Sequence, residues 1–561
     1  MSGNPALRVV LCWHMHQPPY QDPIGGRFQS PWTYLHGLKD YVDMAAHLEA
    51  VPEAKAVVNF TPVLLEQIED YAKQMASAAR GQDNVHDPLL AALAHPVSVG
   101  SDESRLSLVK ACLRADRKRL IDRFPPFARL ASIADWAIGH PEGLIYLNDQ
   151  FLIDLVVWYH LAWLGETVRR EDATAQRLMA QGRNFTLNDR QELLGLMADL
   201  MGGIIPRYRT LAQRGQIELS VTPFSHPIIP LLLGFDRARE TMSNVALPLS
   251  PSYPGGEARA RWQIEHSKEV FGRHFGYIPA GVWPAEGGVC PRTLELLGEA
   301  GFKWTATGQG VLHNSLGHSH LGTNELHRPY RLGGSPACFF RDDGLSDKIG
   351  FVYRDWHADD AVANLVHELE TLARSSNVKP GRVVSIILDG ENAWEYYHEN
   401  AYYFLSGLYR ALVAHPAIEL TTFSECLEQT DVACHPLERL VSGSWVYGNF
   451  ATWIGDPEKN RAWDMLVDAK RIYDEVMAAG TLSPEAVAAA EKQLAWCEAS
   501  DWFWWLGDNN PESAVSQFER LLRLHLSALY QCLGRSAPNY LSYVFAKGMS
   551  GGTGSSMRPA H

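Results

Sequence analysis

Two acidic residues follow apolar runs that have the length and composition of buried strands. Glu286 closes the stretch Gly281–Glu286, and Asp389 follows the run Val383–Leu388. Carboxylates at the ends of parallel strands face a common edge, where one can act as nucleophile while the other donates a proton. Cleavage of a glycosidic bond requires a facing pair of this kind. A structural role, as a helix cap for Asp389 or in a salt bridge for Glu286, explains each residue alone equally well.

Two histidines end the first apolar run, in His14-Met15-His16-Gln17-Pro18. Because residues two apart on a strand share a face, His14 and His16 can serve together as metal ligands or as hydrogen-bond partners of sugar hydroxyls. Near the end of the chain, the segment Asp501–Trp505 packs four aromatic residues into five positions. A helix cannot bury all four, so at least one is expected to meet a ligand or another part of the fold.

The elements that must position these residues are short β-branched runs with helical patterns between them. The runs are Leu7–Cys12, Ala56–Phe60, Ile217–Val221, Ile278–Val282 and Val383–Leu388. A closed α/β barrel and a doubly wound sheet would both give this order of strands and helices. Reactive side chains after nearly every strand favour the barrel. Helices are predicted over Glu257–Phe275 and over Asp359–Arg374, the second with an aspartate cap.

The chain divides into four segments on pattern. The catalytic barrel is predicted over residues 1–425, with a helical insertion at about 72–149 that lacks a strand signal. Residues 426–546 are predicted to form a helical domain, with amphipathic helices over 463–479, 483–497 and 512–532. The Gly/Ser-rich residues 547–561 are predicted to be disordered.

Composition narrows the function classes. The 561 residues carry 50 Lys+Arg against 64 Asp+Glu, a formal net charge of −14. This balance argues against a nucleic-acid partner or an anionic membrane surface and suits a neutral substrate. The eight cysteines form no CxxC pair, no secretory signal is visible, and no apolar segment is long enough to span a bilayer, so a cytoplasmic location is expected. The commonest phosphate, dinucleotide, serine-hydrolase and zinc-protease motifs are missing.

Taken together, the motifs resemble those of the family 57 glycoside hydrolases, which act on α-glucans. Five regions match in order, beginning at His14–Pro18 and ending at Asp501–Trp505. Between them lie Gly215–Glu218 continuing to His226-Pro227, then Gly281–Glu286, then Asp389–Asn392. The resemblance implies a (β/α)7 incomplete barrel followed by a helical domain, and no required metal or cofactor.

The resemblance also implies roles for individual residues in a retaining mechanism. Glu286 matches the nucleophile and Asp389 the general acid/base. Residues implied in substrate binding, with Glu218 orienting one of the histidines, are His14, His16, Gln17, Glu218, His226, Trp283, Arg341, Asp342, Glu391, Trp394, Asp501, Trp502, Trp504 and Trp505.

Within the family, Gln17, Ser225-His226-Pro227, Arg341–Asp347 and Trp445–Trp453 look most like the α-amylase and amylopullulanase branch. Cleavage of α-1,4 bonds is expected, and α-1,6 cleavage stays open. Three alternatives also stay open: a 4-α-glucanotransferase on the same scaffold, a metal-dependent deacetylase-like hydrolase that uses His14, His16 and an aspartate, and a non-catalytic glucan-binding protein.

Overall fold

A computed structural model describes residues 7–82, 84–95, 101–317, 321–375, 381–549 and 557. Its strands are β1 Leu7–Met15, β2 Ala56–Phe60, β3 Ile217–Val221, β4 Gly281–Val282, β5 Trp304–Thr307, β6 Tyr330–Arg331, β7 Ala337–Phe340, β8 Val383–Asp389, β9 Ile418–Leu420 and β10 His435–Pro436.

Helices cover most of the remaining described chain. Before β4 they are α1 Trp32–His36, α2 Val42–Glu49, α3 Pro62–Ala79, α4 Pro88–Ala94, α5 Asp102–Ala111, α6 Pro125–Gly139, α7 Asp149–Ala162, α8 Glu166–Glu171, α9 Ala173–Gln181, α10 Leu187–Gln213, α11 Ile229–Leu233 and α12 Gly256–Phe275. After β4 they are α13 Pro291–Glu299, α14 Gln309–Leu316, α15 Thr323–Leu326, α16 Asp343–Asp347, α17 Ala358–Arg374, α18 Tyr402–Ala414, α19 Phe423–Glu428, α20 Pro457–Ala479, α21 Pro484–Cys497, α22 Asp501–Trp505 and α23 Glu512–Cys532.

Seven strands form a parallel run in the order β7-β5-β4-β3-β2-β1-β8. A parallel bridge between Arg341, just after β7, and Ser385 in β8 joins the two ends of this run. The sheet therefore curls into a seven-stranded barrel, as the resemblance implied, with β6, β9 and β10 as short additions to its rim. Two of the seven strands, β5 and β7, have only four residues each and were not predicted from the apolar runs of the sequence.

Side chains in register fill the barrel in layers. A lower layer contains Cys12, Val57, Trp304, Phe339 and Ile387, all buried in one apolar cluster. The next layer toward the carboxyl ends is polar, because His14 lies beside Asn59 of β2 and Asp389 of β8, and Asn59 lies beside Ser220 of β3. Closely packed apolar side chains below thus support a polar floor at the mouth of the barrel.

The strand predictions for Ala56–Phe60 and Ile217–Val221 agree with the structure residue for residue. The run Ile278–Val282 is a strand only at Gly281–Val282, since Pro279 lacks an N–H donor and Ile278 is 59% exposed. Gly281 is needed there because the Trp304 indole lies against it, where a Cβ would come within 1.9 Å of the ring.

Helices were predicted well in position and less well in their caps. Helix α17 begins one residue earlier than predicted and is capped by His357, whose ring accepts from the Asp359 N–H, so the predicted aspartate cap is wrong. Between β2 and β3 the described chain is helical from Pro62 to Gln213, beyond the 72–149 interval assigned to an insertion. A two-residue strand, β10, also follows residue 425, where no further strand was expected.

The described part of the predicted disordered tail contacts the rest of the chain. The Met549 N–H donates to the Asn510 carbonyl, the Met549 carbonyl accepts from the Glu512 N–H, and Met557 is buried. The rest of 550–561 lies outside the described residues. No helix in the described chain is long and apolar enough to cross a membrane.

Candidate active site

A cavity of about 710 Å³ opens over the polar floor of the barrel. Eleven of the sixteen predicted site residues line it: His14, His16, Gln17, His226, Glu286, Arg341, Asp389, Glu391, Asp501, Trp504 and Trp505. Both predicted catalytic carboxylates are among them, although 103 residues separate them in sequence. The helical segment between β2 and β3 and helix α23 complete the wall through Arg114, Gln517 and Phe518.

Glu286 lies just after β4 in a strained conformation. Its φ of 58° and ψ of 22° are left-handed, a region that costs a non-glycine residue about 1–2 kcal/mol. Its Oε2 accepts a hydrogen bond from the indole Nε1–H of Trp445 at 2.8 Å, and its carbonyl accepts from the Trp445 backbone N–H at 3.0 Å. Strain of this kind persists where surrounding contacts hold a functional group in place.

Asp389 is the last residue of β8 and sits in a different environment. Its Oδ2 accepts from the side-chain amide of Asn392 at 2.9 Å. Burial raises the pKa of Asp389 to about 6. Asn392, His16 and Arg341 lower this pKa, because they stabilise the ionised carboxylate, but their effect is smaller than that of burial. A carboxyl group with this pKa retains its proton over the mildly acidic range, which suits a general acid.

Glu391, two residues further on, is almost fully buried. Its Oε1 accepts from the backbone N–H of His16 and from the side-chain amide of Gln17, at 3.2 and 3.3 Å. Burial, and then the charge of Asp389, hold the pKa of Glu391 well above its ordinary value. Glu391 therefore lines the cavity as a carboxyl group that gives up its proton less readily than an exposed glutamate.

Three histidines and Asp501 form a hydrogen-bonded cluster beside the carboxylates. His14 Nε2 lies 3.2 Å from His226 Nε2, and His16 Nε2 lies 2.9 Å from an Asp501 oxygen. Burial, followed by the neighbouring imidazoles, lowers the pKa of His14 to about 3 and that of His226 well below its ordinary value. Both rings are thus neutral, and each offers one donor and one acceptor.

Oxygen atoms hold the opposite side of each ring. His14 Nδ1 lies 2.7 Å from Asn59 Oδ1, and His16 Nδ1 lies 3.0 Å from Thr61 Oγ1. His226 Nδ1 lies 2.8 Å from Ser500 Oγ. Asn59 donates its own amide to Ser220, so it accepts from His14 Nδ1–H, which leaves His14 Nε2 as an acceptor for His226. None of these three orienting residues belongs to a recognisable motif, so the sequence did not predict them.

Three members of the same cluster have side chains that can bind a metal ion. Ligand atoms of His16, His226 and Asp501 lie within 4.8 Å of one another, inside the reach of one ion. However, the His16 and His226 rings stack at 3.8 Å with only 19° between their planes. An imidazole lone pair lies in the plane of its ring. The lone pairs of two stacked rings are therefore nearly parallel and do not point at one metal ion. The arrangement fits a hydrogen-bonded cluster better than a metal site.

Five predicted site residues do not line the cavity. Glu218 lies one layer below Ser220 in the barrel and accepts from Trp304 Nε1 at 2.6 Å and from Ser424, so it does not orient a histidine. Asp342 caps helix α16 and binds His327 at 2.8 Å. Both side chains are satisfied by structural partners.

Three tryptophans predicted to bind substrate are buried instead. Trp283 packs edge to face on Trp445 at 5.2 Å, Trp394 donates to the Gly390 carbonyl, and Trp502 donates to the Trp496 carbonyl. Each is at most 1% exposed, so none can stack on a sugar. Trp504 and Trp505 of the same aromatic segment do line the cavity.

Trp445 is the main residue that sequence analysis failed to place. It lines the cavity, holds Glu286 and lies under the Arg341 guanidinium, 5.4 Å from its ring centre. Arg341 is itself fixed by Asp343 and Asp347 at 2.8 and 2.7 Å. The only sequence signal was the aromatic-rich stretch Trp445–Trp453, which gave no indication of a partner 159 residues away.

Comparison with solved structures finds similar folds at low identity. A GH57 branching enzyme from Thermococcus kodakaraensis matches with a TM-score of 0.60 and 16% identity, covering 94% of this chain and 90% of that one. A GH57-type branching enzyme from Pyrococcus horikoshii gives 0.59 and 16%, covering 96% and 93%. An α-amylase from Thermotoga maritima gives 0.57 and 14%, covering 96% of both. A comparison with curated proteins finds no match.

The family model for glycosyl hydrolase family 57 matches residues 10–435, which include both carboxylates and the whole seven-stranded barrel except the start of β1. With the barrel, the cavity and the order of the motifs in agreement, the chain belongs to glycosyl hydrolase family 57.

Proposed function

We propose that this protein cleaves α-1,4 glucosidic bonds of starch, glycogen or malto-oligosaccharides with retention of configuration, as an amylase or amylopullulanase. Family membership supports glycoside chemistry. The observation that carries the proposal is the contrast between two carboxylates in one cavity: Glu286 accepts an indole hydrogen bond, while burial raises the pKa of Asp389 to about 6. Paired carboxyl groups in unlike environments divide into nucleophile and acid.

In the first step, a Glu286 oxygen attacks the anomeric carbon as Asp389 gives its proton to the departing glycosidic oxygen. The bond to the leaving chain breaks, and a β-linked glucosyl ester forms on Glu286. In the second step, Asp389 takes a proton from water, whose oxygen attacks the same carbon and releases Glu286. Two inversions give an α-product.

The rest of the cavity suits a neutral polyhydroxylated chain. The neutral His14 and His226 bond to each other, to Asn59 and to Ser500, so they line the cavity without placing a buried charge beside a neutral substrate. Trp504 and Trp505 present aromatic surface to the cavity, and Trp505 is held by stacking on Phe518 at 5.0 Å. Aromatic faces of this kind pack on the apolar faces of pyranose rings.

Transfer to a sugar acceptor, as in a 4-α-glucanotransferase, is the second candidate. The observation that favours it is the additional wall supplied by Arg114, Gln517 and Phe518, which limits water access on that side of the cavity. Incubation with maltoheptaose decides between the two. Hydrolysis gives only shorter products, whereas transfer also gives chains longer than the starting oligosaccharide.

Azide rescue tests the two catalytic roles on an aryl α-malto-oligoside. With Asp389→Asn, the good leaving group departs unaided, and azide should attack the trapped ester to give an α-glycosyl azide. With Glu286→Ala, azide should occupy the emptied position and give the β-azide. Activity on starch should fall about 10²–10⁴-fold further than activity on the aryl substrate for Asp389→Asn.

Equal losses on both substrates in both variants, or azide products of the opposite configuration, would refute the assignment. A metal-dependent hydrolase would instead show stoichiometric bound zinc and lose activity in chelator, with Glu286→Ala remaining active.

A further inference from the structure

An exposed aromatic patch lies on the helical segment between β2 and β3, separate from the cavity lining. Four side chains form it, and we call it the Trp136 platform: Ile133, Trp136, Ile145 and Tyr146, which are 41%, 48%, 64% and 83% exposed. None of them lines the catalytic cavity. Large apolar side chains grouped on a surface in this way mark binding sites more often than isolated ones do.

The platform is built on two adjacent elements. The buried face of α6 consists of Phe127, Ala131, Ala134 and Ala137, which leaves Ile133 and Trp136 on the opposite side. A 3₁₀ turn, Pro141–Tyr146, follows directly. Since residues three apart in such a turn share one side, Tyr146 lies about 6 Å along the axis from Gly143.

Gly143 fixes where the Trp136 ring can lie. A Cβ at this position would come within 2.4 Å of Cη2 of the indole, so only glycine admits the ring. His140 stacks on the same indole, with ring centres 5.2 Å apart and 17° between planes. Trp136 is therefore held in place while about half of it stays open to solvent, with Tyr146 one turn away.

Size and charge select the kind of ligand. Four partly exposed side chains offer a few hundred Å², less than the about 800 Å² per partner of a stable protein interface. The nearby Arg117 is tied to Asp122 and Asp135, at 2.8 and 2.6 Å, and the whole chain carries a charge of −14. A small, rigid aromatic surface on a chain of net negative charge suits a neutral sugar chain.

We propose that the Trp136 platform is a second, non-catalytic binding site for the α-glucan polymer, a proposal that rests on the proposed function. The same helical segment supplies Arg114 to the cavity wall, so a long chain held at the platform is kept close to the catalytic carboxylates. Short oligosaccharides gain nothing from such a site, because they cannot reach both places.

Affinity electrophoresis through gels containing glycogen tests the site. Trp136→Ala and Tyr146→Ala should each weaken retardation about threefold to tenfold, and turnover of maltoheptaose should stay unchanged. Tyr543→Ala serves as the matched control, since Tyr543 is 71% exposed and lies outside the platform and the cavity lining. Melting temperatures of all variants check that folding is intact, and the largely exposed Tyr146 provides the variant least able to disturb it.

Unchanged retardation of the Trp136→Ala/Tyr146→Ala double variant, or a wild-type protein that glycogen does not retard, overturns the proposal. So does a dimer in sedimentation that the double variant dissociates, since the platform would then be covered by a second copy. Failure of the proposed function gives a different result: a wild-type protein inactive on maltoheptaose and on the aryl substrate, whatever its retardation.

Discussion

Trp445 binds Glu286 twice, through its indole N–H to Oε2 at 2.8 Å and through its backbone N–H to the carbonyl at 3.0 Å. The first bond aligns the carboxylate, and the second helps to hold the left-handed backbone at this position. A residue from beyond the barrel strands thus prepares the proposed nucleophile.

Trp445→Phe should therefore lower kcat/KM about tenfold or more, because a hydrogen bond to a charged group contributes about 1.5–3 kcal/mol. Trp283→Phe is the matched control: the Trp283 indole is buried beside Trp445, and its N–H has no hydrogen-bond partner in the described structure. Steady-state kinetics on maltoheptaose measures both. Equal losses in the two variants would mean that ring packing matters and the Glu286 bond does not.

The left-handed backbone at Glu286 predicts that this residue lowers the stability of the fold although it is needed for activity. Glu286→Gly should be inactive but more stable than Glu286→Ala by about 1 kcal/mol, because glycine adopts a φ of 58° without the penalty that alanine retains. Denaturant unfolding of both variants measures the difference. As a control, the same pair of substitutions at the exposed helical residue Glu265, where φ is ordinary, should favour alanine.

The raised pKa of Asp389 predicts a pH-dependent gain in stability for Asp389→Asn. The folded protein holds this proton up to about pH 6, whereas the unfolded chain releases it near the ordinary value of 3.8. As the pH rises from 3.8 to about 6, the free energy of unfolding of the wild type should therefore fall relative to that of the variant. The total loss should be about 2–3 kcal/mol. Below pH 3.8 the difference in stability between the two proteins should no longer change with pH.

Urea titrations at several pH values measure this effect, with the exposed Asp355→Asn as a control that should show no such window. A constant difference between wild type and Asp389→Asn across the whole range would contradict a buried, protonated Asp389.

The aromatic segment should divide by function. Trp505→Ala should raise KM for long glucans and leave the melting temperature nearly unchanged, because the ring is partly exposed and faces the cavity. Trp502→Ala should lower stability by about 3–5 kcal/mol, since its ring is fully buried, and alter KM little if the variant folds. The reverse pattern would show that the two side chains have exchanged roles.

The sequence by itself determined the features that depend on local pattern. Buried strands give apolar runs in the sequence, so both ends of β2 and of β3 could be predicted to the residue. Glu286 and Asp389 follow such runs, and this position marked them as candidate catalytic residues. The order of five short motifs then sufficed to place the chain in its family and to predict the seven-stranded barrel, which is more than the runs alone could show.

Only the tertiary structure decided which neighbours those residues meet. Glu218 and Ser220 point into the same barrel, but one layer of strand, about 7 Å, puts Ser220 beside Asn59 at the polar floor and Glu218 against Trp304. His16 finds Asp501 485 positions later, and no local pattern encodes that distance. Which tryptophan of Asp501–Trp505 reaches the cavity depends on the rotation of a short helix against α23, which long-range packing sets.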